Sequence, residues 1–274
     1  MAERGAPVTL RGVRVRYPNA AADAVAGVDL AIAGGEFIVL LGPSGCGKST
    51  LVRTINRLIE PTAGSIDIDG TDARAADAVA LRRGIGYVIQ AVGLFPHYTV
   101  AENIAVVPAL LGWDAERTTK RVDDLLALVA LDPARYRDRK PRELSGGEAQ
   151  RVGVARALAA EPRVLLMDEP FAAVDAIVRA SLQNEIARVH RELGTTVVFV
   201  THDVDEALRL ADRIVVMNAG RIVQIAAPAD LLERPADDFV RRLVGVDPET
   251  RRLVTERPLL DTEDASDLET ESAS

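Results

Sequence analysis

Residues 37–50 read FIVLLGPSGCGKST, and this stretch decides the fold. A short apolar run ends in a Gly-rich segment, and helical periodicity starts directly after it in KSTLVRTINRLI. Gly42 to Ser49 matches G-x-x-x-x-G-K-[ST] in the strand, loop and helix context that the pattern requires. Mechanically, Gly45 and Gly47 let the backbone wrap phosphates, Lys48 reaches β and γ oxygens, and Ser49 ligates Mg²⁺. The residues expected to line this cradle are Gly42, Pro43, Ser44, Gly45, Cys46, Gly47, Lys48, Ser49 and Thr50; no catalytic role falls to Cys46.

Working outward, IGYVIQ, RVLLMDE and TTVVFVTH are further short apolar runs that end in polar residues, the form of strands covered on both faces. The alternation in VTLRGVRVRY predicts a half-buried strand, and RTTKRVDDLLALVAL and IVRASLQNEIARVHREL carry helical periodicity. The pattern is α/β with a largely parallel core sheet. Residues 91 to 157 offer several helices and no strand, which predicts a helical subdomain inserted into that core. RIVVMNAGRIVQIAAP reads as two strands around a turn at Asn218 to Gly220, and ADLLERPADDFVRRLVG as two short closing helices. There is no internal repeat and no Pro-rich linker.

With 274 residues, 48% apolar and 27% charged, the chain has the composition of a packed protein. A net charge of -8 argues against nucleic acid as a partner, which calls for a basic stripe. Much of that charge sits in TERPLLDTEDASDLETESAS, read as a solvated tail. One cysteine excludes an internal disulfide framework and fits a reducing compartment. MAERGAPVTL lacks the charged-then-apolar form of a signal segment, and no apolar run approaches the roughly 20 residues of a membrane-spanning helix. Any membrane-spanning role is therefore expected of another chain.

RVLLMDEP ends a buried strand in two acids. Asp168 is expected to hold Mg²⁺ through its water shell and Glu169 to polarise an attacking water, help of the general-base kind that contributes about 10²- to 10⁴-fold. VFVTHD delivers His202 to the same sheet edge, where it reads as a γ-phosphate sensor. Gln90 closes IGYVIQ where the helical insertion begins, and an amide there can ligand Mg²⁺ or the attacking water and sense the nucleotide. A second cradle stands at 144–158, LSGGEAQRVGVARAL, roughly a hundred residues beyond the first. Ser145 and Glu148 form a capping box, but Gly146 and Gly147 cost helix propensity unless the backbone must approach something closely. A single nucleotide in one chain leaves one cradle redundant. The arrangement that uses both has Ser145 and Gly147 touching the γ-phosphate of ATP on a second copy, two chains sandwiching two nucleotides head to tail.

GPSGCGKST, Gln90, LSGGEAQ, VLLMDEP, AAVD and VTHD, in this order and spacing, resemble the ATP-binding cassette ATPases across about residues 7 to 245. That resemblance implies a P-loop NTPase with a RecA-like parallel-sheet core, an antiparallel β subdomain and an inserted helical subdomain. It implies ATP and Mg²⁺ as cofactors, Tyr17 stacking on adenine, and Asp175 linking two composite sites. The nucleotide-binding domain is expected over 1–245, its helical subdomain at about 91–157, and a flexible acidic tail over 246–274. The chain departs from the family with Glu148 and Ala149 where Gln-Gln is common, and with Ala173-Val174 where Ala-Leu is usual.

IGYVIQAVGLFPHYTVAENIAVVPALLGW, together with DDFVRRLVG, looks like the ATPase subunits of bacterial importers for glycine betaine, carnitine and choline. The resemblance implies integral-membrane permease subunits as partners at the cytoplasmic face, and an extracytoplasmic substrate-binding protein at one remove. The alternatives are an importer of another small solute, such as an amino acid or polyamine, and a mechanotransmission ATPase that moves no solute. DNA-repair and ribosome-associated relatives carry a long coiled-coil insertion or a second cassette, and neither is present. Phe95 and Tyr98 are expected to form a socket for a partner helix; Leu94 could serve there or in the core. Thr99 and Glu102 are expected to cap the next helix, His97 to be solvated and Trp113 to lie in the core. Many such subunits carry a C-terminal pair of nucleotide-sensing domains, and this chain is expected to end before them.

Overall fold

The computed structural model describes residues 5–90, 93–171 and 176–245. The chain runs β1 (Val8–Val15), β2 (Val25–Ile32), β3 (Phe37–Leu41), α1 (Lys48–Ile55), β4 (Ala63–Ile68), β5 (Thr71–Asp72), α2 (Ala78–Gly84) and β6 (Ile85–Val88). A helical stretch follows, with α3 (Val100–Leu110), α4 (Ala115–Leu128), α5 (Pro133–Tyr136), a 3₁₀ turn and α6 (Gly146–Leu158). Strands then alternate with helices through β7 (Val164–Asp168), α7 (Ala176–Leu193), β8 (Thr196–Thr201), α8 (Val204–Leu210) and β9 (Arg213–Asn218). The described chain closes with β10 (Arg221–Ala226), α9 (Pro228–Glu233) and α10 (Asp238–Val244).

The unbroken apolar runs divide their side chains between two cores. Phe37, Val39 and Leu41 of β3 join Met167, Val197 and Phe199 under α4, α6, α7 and α8. Ile38 and Leu40 enter a second core with Leu166, Val198, Val200 and Met217, against Leu51, Val52 and Ile55 of α1 and the apolar face of β1 and β2. Period-2 geometry makes this obligatory, since successive side chains of a strand point to opposite faces. The larger sheet has the order β10-β9-β3-β8-β7-β6, parallel except for β10. Its connections carry the ends of β3, β8, β7 and β6 to one edge in consecutive spatial order. The smaller sheet, β2-β1-β4-β5, is antiparallel throughout.

Two local expectations fail. The helix read over KSTLVRTINRLI stops at Ile55, because Arg57 adopts φ 49 and its guanidinium bonds to the carbonyls of Ala73 and Ala76 at 2.9 and 2.7 Å. Trp113 is not a core residue. It is half-buried on the surface of the helical region, with the Arg117 guanidinium 3.3 Å from its ring centroid, a cation–π contact in place of apolar packing. The expectations for Asp175, Ala173-Val174 and the tail at 246–274 lie outside the described residues.

Candidate active site

The loop after β3 folds as its glycines dictate. Gly45 and Gly47 stand at φ 78 and 108, and a Cβ on Gly47 would lie 2.2 Å from the Ala24 carbonyl oxygen. Gly47 is the N-cap of α1 and brings no capping side chain, so the first N–H groups of that helix are left for an anion. Lys48 Nζ curls back onto the loop, donating to the carbonyls of Gly42 at 2.7 Å and Pro43 at 3.0 Å. Cys46 is buried behind it, and burial pushes its thiol pKa up, which leaves an inert thiol.

Across the sheet, Ser49 Oγ donates to Asp168 Oδ1 at 2.6 Å. The other oxygen of this buried carboxylate faces the Tyr87 hydroxyl and the Arg53 guanidinium, each at 3.5 Å. Burial pushes the Tyr87 phenol up, so it remains a neutral donor. Glu169 turns sharply out of β7 at φ 47, its N–H held by the Val200 carbonyl at 3.1 Å. Its Oε2 meets His202 Nδ1, from the end of β8, at 3.3 Å. Gln90 is exposed two residues past β6, the strand that pairs with β7.

The residues present suit a nucleotide with a hard cation. An uncapped helix start, a lysine bonded to nothing firmer than loop carbonyls, and a hydroxyl-carboxylate pair supply phosphate donors and oxygen ligands. Tyr17 is 42% exposed in an open cleft with Arg14, Arg16 and Asn19, its hydroxyl 3.2 Å from Thr50 Oγ1 beside the loop. Asp23 anchors Arg16 and Arg14 at 2.5 and 3.2 Å next to that ring.

The second Gly-rich stretch opens α6. Ser145 Oγ accepts from the Glu148 N–H at 3.3 Å and Glu148 Oε2 accepts from the Ser145 N–H at 2.7 Å, the expected capping box. The Tyr136 hydroxyl adds a 2.5 Å bond to Glu148 Oε1 and, with the cap, holds that carboxyl below its ordinary pKa. Gly146 and Gly147 form the first turn beside this cap.

A protein-family model for ABC transporters matches residues 25–172. The chain belongs to the ABC transporter family. The cassette is 55% identical over 235 residues to the glycine betaine/carnitine/choline transport ATP-binding protein OpuCA of Bacillus subtilis, covering 86% of this chain and 60% of that one. It is 52% identical over 227 residues to the glycine betaine uptake system ATP-binding protein YehX of Escherichia coli, covering 83% of this chain and 73% of that one. The chain therefore spans about three fifths of the Bacillus protein's length. Among solved structures, a dimeric post-hydrolysis state of an ATP-binding cassette bound to ADP and Pi matches with a TM-score of 0.73 at 34% identity, over 81% of this chain and 98% of that one.

The cassette's motif residues fall where the apolar runs end, at one edge of the parallel sheet, where Ser49 meets Asp168 and Glu169 meets His202. Ser145 caps the start of α6, outside that sheet. The cassette loop at 93–99 is pinned from behind by groups that motif reading missed. Asn103, fully buried, accepts from the Phe95 N–H at 2.8 Å and donates to the carbonyls of Phe95 and Thr99 at 3.1 and 2.9 Å. Lys140 Nζ donates to the His97 carbonyl and Arg156 to the Gly93 carbonyl, both at 2.7 Å. Phe95 and Tyr98 remain exposed, while Leu94 packs against the larger core. Only spacing at i and i+8 linked Asn103 to Phe95 in the sequence, and no periodic pattern marks it.

Proposed function

We propose that this cassette hydrolyses ATP with Mg²⁺ and drives a bacterial importer of quaternary-amine osmoprotectants, such as glycine betaine, carnitine or choline. The observation that carries the ATPase reading is the convergence of Ser49 with Asp168 and of Glu169 with His202 beside the uncapped start of α1. The cargo class is supported by the identity with osmoprotectant relatives.

In this reading the loop 42–50 wraps the phosphates, Lys48 leaves its carbonyls for β and γ oxygens, and Tyr17 stacks on adenine. Ser49, Asp168 and Gln90 would hold Mg²⁺, which supplies charge neutralisation for the phosphoryl oxygens when bound. Glu169 accepts the proton of the attacking water and His202 contacts the γ-phosphate. Ser145, Gly146 and Gly147 close over ATP on a second copy, and Asp175 links the two sites. The dimeric cassettes among similar structures support that assembly. No helix of the described residues is long and apolar enough to cross a membrane, in keeping with permease subunits as the membrane-spanning partners. Phe95 and Tyr98 form the socket for them at the cytoplasmic face. The nucleotide-binding domain takes in 1–245 with its helical subdomain at about 91–157. A substrate-binding protein outside the membrane supplies the solute.

Glu169→Gln tests the reading. The variant is expected to bind Mg-ATP, lose turnover and accumulate as a dimer; parental turnover would remove Glu169 as base. The trapped variant then serves as bait in detergent-solubilised membranes, with mass spectrometry of its partners. Recovery of a multi-span permease encoded beside a quaternary-amine binding protein supports import. Recovery of a few-span membrane protein alone selects the mechanotransmission alternative.

A further inference from the structure

Glu206 lies on α8, four residues beyond His202, and only 4% of its surface is exposed. Burying a carboxylate is costly unless it is paired, and burial pushes the pKa of this one up. An apolar side chain would fill the same space without that cost, so the carboxylate's partners are informative. Glu206 Oε2 accepts from the Thr201 hydroxyl at 2.6 Å, and Oε1 from Gln183 Nε2 at 3.4 Å. Thr201 Oγ1 in turn accepts from the Asp203 N–H at 3.0 Å. Asp203 caps α8 through the N–H groups of Asp205 and Glu206, at 2.9 and 3.2 Å. The residues immediately before and after His202 are thus each fixed by a side-chain bond that leads back to Glu206 or to its helix.

His202 itself has a side chain 57% exposed and meets Glu169 at 3.3 Å. An exposed imidazole takes its position from the turn that carries it. That turn is tied to a second element as well: Arg179 of α7 places Nη1 3.3 Å from Asp203 Oδ2 and Nε 3.9 Å from Glu206 Oε1. Gln183, one turn further along α7, is held by Arg209 at 3.1 Å.

We propose that Glu206 is a positioning residue for His202, locking the turn at 201–203 and joining it to α7. The proposal rests on the reading of His202 as the γ-phosphate contact. Glu206 touches no substrate; it fixes the angle at which the imidazole is presented.

The test compares Glu206→Ala, Glu206→Gln and His202→Ala in the full chain, by steady-state hydrolysis of Mg-ATP well below each variant's melting temperature. Glu206→Ala is expected to lower kcat about 10- to 100-fold, the scale of a small misplacement of a catalytic group, with KM for ATP unchanged. Glu206→Gln keeps an oxygen for Thr201 and is expected to restore most of the rate. A merely structural role would lower the melting temperature and leave kcat at the parental value, and that result, alongside an inactive His202→Ala, overturns the proposal. Parental kcat in His202→Ala would overturn the reading of His202 and the proposal with it. If Glu206→Ala does not fold, Thr201→Val removes the donor at constant volume and carries the same expectation of a lower kcat at constant KM.

Discussion

At the scale of single residues, Glu169 is held in a conformation that costs it stability. Its φ of 47 lies in the left-handed region, where an L side chain loses about 1–2 kcal/mol relative to its ordinary conformations. The turn is over-determined by β7 on one side and the bond to the Val200 carbonyl on the other, and it aims the carboxylate at His202. Glu169→Gly is therefore expected to abolish hydrolysis while raising stability by about 1 kcal/mol, read as a higher urea midpoint at unchanged m-value. A lower midpoint would show that no strain is relieved at this turn. Gly47→Ala has the opposite prognosis. Its Cβ would press on the Ala24 carbonyl at 2.2 Å, so the loop must shift, and loss of ATP binding in a fluorescent-nucleotide titration is the expected result.

At the scale of elements, α7 docks on the sheet through a titratable group. His190 packs edge-on to Phe37 of β3 at 5.2 Å between ring centroids, and its Nδ1 lies 3.0 Å from the Thr195 carbonyl. Burial holds its pKa below the ordinary 6.5, with the Thr195 bond and Asp212 opposing that shift and Arg191 adding to it. The unfolded chain thus takes up the proton first as pH falls. The contribution of His190 is complete above about pH 6.5 and is lost as pH falls through its lowered native value. His190→Phe is expected to flatten this acid limb, so the parent-minus-variant difference in urea midpoint should shrink from pH 7.5 to 5. A constant difference would show that His190 does not titrate differently on folding. Other features of these elements were readable in four letters. The capping boxes of α3 at Thr99 and Glu102 and of α6 at Ser145 and Glu148 form as their spacing requires. The premature end of α1 was not readable, because Arg57 is held by carbonyls of Ala73 and Ala76, supplied by a turn that only the fold brings near.

At the scale of the whole molecule, the dimer proposed here can be separated from nucleotide binding. Ser145→Arg in the Glu169→Gln background leaves the loop 42–50 and its lysine untouched, so each monomer is expected to bind ATP as before. The added bulk and charge should stop closure over the partner's nucleotide, and light scattering in Mg-ATP should report monomer. A dimer of parental strength would remove the second cradle from the composite site.

What the sequence determined by itself was whatever a contiguous string can encode. A buried parallel sheet needs unbroken apolar runs, and those runs marked β3, β7 and β8 and the polar residues at their ends. A phosphate cradle needs glycines and a lysine at fixed offsets, and these marked the loop before α1. The tertiary structure decided the groups that act between elements. Arg53 and Tyr87 on Asp168, Arg156 behind the loop at 93–99, and Arg179 beside Glu206 come from distant parts of the chain. Each of these side chains reads as an ordinary surface or helix residue in isolation. Its partner is set by the strand order and by which helix face meets the sheet, and neither leaves a local pattern along the chain.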